Sequence, residues 1–259
     1  MTDRGKSFSE VLADAAARKL RAAASRFGRR TTSAESPRDV YLKACQHIAE
    51  ALATDGFTYA RSSQMLTRKT KDFYFQVYFQ SDRNNVAGEL VALWIHAGVI
   101  SKRLKAWRIA QPQPFRTDDG VAGGQLGNLL PQHSWMEWNL ADPDSRAGLL
   151  SDAIATIRQI AFPYFAIFED IPSLCQRLVA EELPSMRLPS AIEFLLCFGN
   201  KQMAESCLHR FLFAHPDILA QYHIELEQVR CSGIPQAQKT GYAIELAYAT
   251  EAYGFQPPS

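Results

Sequence analysis

The chain has 259 residues, a hydrophobic share of 47% and a formal net charge of +1, the profile of a soluble globular protein with room for a substantial core. No stretch approaches the length of a membrane span, and the N-terminus lacks the apolar segment of a secretory signal. The five cysteines are odd in number and scattered, as in a reducing compartment where cysteine serves as a small hydrophobe. These features predict a cytoplasmic protein with no membrane partner.

The charge is uneven. Residues 1–30 carry eight Arg and Lys against three acids, a net +5, so the remaining 229 residues sum to −4. Phe8, Val11, Leu12, Ala15, Leu20 and Ala24 give this arm a thin apolar stripe at helical spacing, and a polar linker, RRTTSAESP, follows. The stretch reads as a weakly folded basic arm over residues 1–35. Its Arg18, Lys19, Arg21, Arg29 and Arg30 are candidates for contacting anions or nucleic acid. A mitochondrial-type presequence is disfavoured by Glu10 and Asp14.

The folded body is expected over 36–259. Ser36-Pro37 has the chemistry of a helix start, a hydroxyl cap before a proline, and Val40, Tyr41, Ala44, Ile48, Ala51 and Leu52 make one apolar face. Gly56 is the expected stop. The period then changes to two. Strands are predicted at 57–68, 72–80, 88–101 and 134–140, antiparallel because most connections are short. Between them, Lys102–Arg108 is basic and amphipathic, and 111–133 is a Pro- and Gly-rich excursion expected to be a flexible loop.

From 143 onward the pattern is helical. Asp144 is the expected cap of a helix running to Ile160, and Pro163 should kink or end it. Further helices are predicted at 172–182, 189–198, 201–213, 217–230 and 235–253, with Gly199-Asn200 a left-handed stop between two of them. The fold class is therefore α+β: an antiparallel sheet of four to five strands, a leading helix and an α-helical C-terminal layer. The sheet part spans 36–142 and the helical part 143–259 of one domain.

Side chains alternate across a strand. In KDFYFQVYFQ, Phe73, Phe75, Val77 and Phe79 must form the core face. On the neighbouring strands Val91, Leu93, Ile95, Ala97 and Val99, then Met136, Trp138 and Leu140, point the same way. The other face collects Tyr74, Gln76, Tyr78, Trp94, His96, Trp135 and Glu137, large rings with polar tips of the kind enriched where proteins meet. Two readings stay open: a partner-binding face, or a face covered by helices with its phenols and indoles satisfied internally. KDFYFQVYF does not meet the RNA-recognition pattern, because Asp72 and Tyr74 stand at its small positions and Gln76 at its valine.

Signals for catalysis are absent: no nucleophile elbow and no recognisable cysteine-protease context. The glycines at 120, 123, 124 and 127 match no phosphate-binding spacing. Cys207 and His209 point about 200° apart on a helix and cannot chelate together. No metal, cofactor or catalytic residue is predicted, and His96 with Glu137 is the one constellation worth following. The sequence leans away from an enzyme.

Three segments resemble a bacterial family known as domain of unknown function 4304: ALATDGF closing the first helix, VYFQSDRNN leading into LWIHAGV, and the aromatic turn AFPYFAIFEDIPSLCQRL. Together they cover roughly 38–182. The basic arm and the Gly-rich excursion depart from that family. The resemblance implies an α+β body, a bacterial cytoplasmic setting and a small accessory, immunity-type role, and it carries no catalytic residue. The leading expectation is thus a non-enzymatic protein-interaction module, a bacterial immunity or defence accessory. The alternative is a nucleic-acid-associated protein using the basic arm with Lys102, Arg103, Lys105 and Arg108.

Overall fold

A computed structural model describes residues 35–112, 116–180, 182, 185–232 and 241–258. Arg18, Lys19, Arg21, Arg29 and Arg30, the basic arm and most of its linker lie outside the described residues.

The fold is α+β. Its first helix, α1 (Pro37–Leu52), is capped by Ser36, whose side chain accepts from the Asp39 N–H, with proline in the first turn. A short 3₁₀ turn ends at Gly56, left-handed at φ 83°. Strands β1 (Thr58–Ala60), β2 (Met65–Lys69), β3 (Tyr74–Ser81), β4 (Ala92–Ile100) and β5 (Gly120–Gln125) lie in that order across a sheet, with β6 (Trp138–Asn139) paired antiparallel to β4. Helix α2 (Lys102–Ile109) separates β4 from β5. The C-terminal helices are α3 (Pro143–Thr156), α4 (Phe162–Glu169), α5 (Ile171–Val179), α6 (Leu188–Phe198), α7 (Lys201–Ala214), α8 (Pro216–Ser232) and α9 (Tyr242–Tyr253).

Several local expectations are corrected. The segment 57–68 is a hairpin, not one strand: Ala60 pairs with Met65 around a turn that ends on Gln64 at φ 48°. The Gly-rich excursion holds strand β5, and two glycines there are steric requirements. A Cβ on Gly123, at φ 151°, would lie 2.5 Å from the Ala97 carbonyl oxygen, and one on Gly127 would overlap the Ser134 carbonyl oxygen at 1.6 Å. Backbones approach there more closely than any side chain permits.

Pro163 does not end its helix. A π-helical segment, Ile157–Ala161, precedes it and the helix continues to Glu169. The wider turn accommodates a residue that lacks an N–H and would clash with the carbonyl four residues back. Asp142, not Asp144, is the cap of α3: its carboxylate accepts from the Asp144 N–H at 3.1 Å. Gly199 is not left-handed (φ −107°, ψ −118°), and Asn200 instead caps α7 through the Met203 N–H.

The chain forms two compact units. Of the described residues, the first comprises those up to Thr70, Tyr74–Gly98 and Gly123–Phe165, and the second Lys71–Phe73, those between Val99 and Ala122, and those from Ala166 onward. In the first, α1 buries Val40, Tyr41, Ala44, Ile48 and Leu52, and α3 packs against it. Phe75 stacks on Phe165 with centroids 4.9 Å apart, and Phe57 on Phe162 at 5.6 Å. Trp138 Nε1 donates to Asp152 Oδ2 at 2.8 Å. In the second, Phe73 stacks on Phe194 and Phe198, while the Tyr222 hydroxyl and Thr250 Oγ1, 2.9 Å apart, tie α8 to α9.

Candidate functional site

Strand alternation sorts β3 and β4 as the sequence requires, but the strand expected over 134–140 is only Trp138–Asn139, so Trp135 and Glu137 lie in the irregular segment that leads into it. Phe75, Val77, Phe79, Val91, Leu93, Ile95 and Ala97 are buried on one side, as are Trp138 and Leu140. On the other side Tyr74, Gln76, Tyr78, Trp94 and Glu137 are half-buried and Trp135 is exposed. That second face is neither bare nor closed. His96 alone among its members is buried, at 8% exposure.

The rings are ordered by one another. His96 stacks on Tyr78 with centroids 4.5 Å apart and planes 7° from parallel. Trp135, 44% exposed, stands perpendicular to both Trp94 and His96, at 5.5 and 6.2 Å with planes at 78°. Perpendicular and offset-stacked pairs at these spacings are the favoured aromatic geometries, worth about 0.5–1.5 kcal/mol each beyond area burial. Lys69 Nζ lies 5.5 Å from the Tyr74 ring at the far end of the row. Gly98 lies beside Gln76 on this face, where a Cβ would make only ordinary contact, 4.0 Å from the Gln76 Cβ.

His96 and Glu137 do not form the constellation expected of them. Trp94 Nε1 donates to Glu137 Oε2 at 2.8 Å, whereas His96 Nε2 is buried with no hydrogen-bond partner. Burial holds the imidazole below its ordinary pKa and pushes the Tyr78 phenol up. Both groups are therefore neutral near pH 7, and no acid–base relay connects them.

The basic segment on α2 divides. Arg108, expected among the anion-facing cations, is 1% exposed. Its Nε donates to Glu193 Oε2 at 2.8 Å, and its Nη1 donates to the Asp118 and Gly120 carbonyls at 3.0 and 2.9 Å. Its Nη2 lies 2.7 Å from Glu193 Oε2 without a well-aligned hydrogen bond. The Tyr253 hydroxyl donates to the other Glu193 oxygen at 3.2 Å. Burial pushes the Glu193 carboxyl up against the pull of Arg108.

The sequence held a signal for this pair. Arg108 lies four residues after buried Leu104, on the same helix face, and Glu193 is a lone acid in the apolar run SAIEFLLCF. The remaining cations of the segment stay at the surface: Lys102 and Lys105 are exposed, and Arg103 lies over Phe198 at 4.5 Å and donates to the Cys197 carbonyl.

Among the described residues no group of three or more His, Cys, Asp and Glu is arranged to hold a metal ion, and no helix is long and apolar enough to cross a membrane. Cys207 is buried with its thiol donating to the Leu178 carbonyl, while His209 meets the Gln256 carbonyl. Burial pushes the Cys45 thiol up to about 12, the behaviour of an inert core cysteine. Compared with protein-family models, curated proteins and solved structures, the chain matches none of them.

Proposed function

We propose that the protein is a non-enzymatic interaction module whose partner is another protein, and that the aromatic face of the first unit, centred on Trp135, is the contact surface. The carrying observation is Trp135 itself: a large indole left 44% exposed yet fixed by two perpendicular ring contacts. Such a residue offers broad contact area with little side-chain entropy left to lose, the character of an interface hot spot. Tyr74, Gln76, Tyr78 and Trp94 add rings and polar tips around it. Glu137 is engaged with Trp94 rather than with His96, which favours a structural role for the one pair that suggested chemistry. The immunity-type accessory role implied by the family resemblance belongs to the same proposal.

A photo-crosslinking side chain placed at position 135 should yield one discrete protein adduct in the native host. The same group at Gln46, exposed on α1, should yield none. Equal adduct patterns from both positions would refute the assignment. The nucleic-acid alternative loses Arg108 from its expected surface, since that side chain is buried against Glu193.

A further inference from the structure

The cluster around His96 carries an inference about how the proposed surface is regulated. The imidazole is buried, its Nε2 lacks a partner, Tyr78 covers one ring face, and Trp135 stands perpendicular to it. A neutral imidazole can leave one nitrogen bare, but an imidazolium carries two N–H donors and a charge that both require acceptors. No acceptor is placed on Nε2 in the folded chain. From β3 the neighbour is the neutral Tyr78. From the connection into β6 it is Trp135, and Glu137 nearby accepts from Trp94. On β4 the same-face neighbours are Trp94 and Gly98, and residues 123–125 of β5 are Gly, Gly and Gln. Attraction of an imidazolium to the Tyr78 and Trp135 rings offsets part of the cost but gives no acceptor to an N–H. Water must then reach the ring, and the most exposed part of its cover is Trp135.

We propose that His96 is a proton-operated latch beneath Trp135: protonation releases the indole from the sheet face and remodels the surface. Its bearing on partners rests on the reading of this face as an interface; the latch itself does not. Burial holds the folded-state pKa below the unfolded value of about 6.5. The closed state is accordingly at full strength above about pH 6.5 and is lost as pH falls through the lower folded value.

The test uses full-length protein labelled with 5-fluorotryptophan at its four tryptophans, with the Trp135 signal assigned by Trp135→Phe. The sample is titrated from about pH 8 to about pH 4.5 while His96 ring resonances and far-UV circular dichroism are recorded. The expected result is a Trp135 fluorine shift with the same midpoint as His96, below about 6.5, with constant circular dichroism. His96→Gln and His96→Phe should both abolish the shift, and either suffices if the other fails to fold. The latch is overturned if Trp135 stays still while His96 titrates, if its step survives in a folded His96 variant, or if the step coincides with global unfolding. No partner is used, so failure of the crosslinking experiment with this titration intact would count against the interface alone.

Discussion

Replacing Arg108 with methionine should lower the free energy of unfolding by about 3–5 kcal/mol, and replacing Glu193 with leucine in the same protein should restore part of that loss. The reason is desolvation. Arg108 and Glu193 are each 1% exposed, and Glu193 Oε2 receives both the Nε donation and the nearby Nη2 charge. Removing the cation alone strands a carboxylate in the second unit's core, with the Tyr253 hydroxyl as its remaining neutral donor. Removing both charges leaves an apolar contact of similar volume, short of the Tyr253 hydrogen bond and of the Nη1 donations to the Asp118 and Gly120 carbonyls. Urea unfolding of the two variants followed by circular dichroism decides the matter. A single variant within about 0.5 kcal/mol of wild type would mark Arg108 as an ordinary surface cation and return α2 to the nucleic-acid reading.

Phe75→Ala should cost about 3–5 kcal/mol, while Gln76→Ala, one residue along the same strand, should cost less than about 1 kcal/mol. Phe75 is fully buried, stacks on Phe165, and has the Arg68 guanidinium 5.3 Å from its ring centroid. Its loss leaves a cavity that the sheet and α4 cannot close. Gln76 lies half-buried on the opposite face. Comparable losses from the two substitutions would mean that both faces of β3 are core, and the partner surface would have to be sought elsewhere.

What was legible in the sequence is what local physics dictates. Period-two alternation placed Phe75, Val77 and Phe79 inside and Tyr74, Gln76 and Tyr78 on the other face, because a one-residue slip would invert the whole set. Ser36-Pro37 marked the start of α1 because an orphan N–H needs an acceptor there. Features set by distant partners stayed hidden. Strand β5 has almost no β-forming residues, and its glycines make sense only once Ala97 and Ser134 are seen to press against them. The turn before β2 uses a left-handed Gln64 where no glycine or asparagine announces it. Arg108 and Glu193 are 85 residues apart. In the site, Tyr74, Gln76, Tyr78, Trp94 and His96 could be read onto one face from alternation, but Trp135 and Glu137 precede β6 rather than lie in it, and the perpendicular seating of Trp135 and the bare His96 nitrogen come from tertiary packing.

The proposed protein-binding surface is Trp135 with its neighbours on the sheet face. Its most direct test is calorimetric titration of the purified crosslinked partner into wild type and into Trp135→Ala, at matched pH and salt. Trp135→Ala should lose at least about thirtyfold in affinity, about 2 kcal/mol, with the fold intact because the indole is already 44% exposed. Equal affinities for the two folded proteins would contradict it.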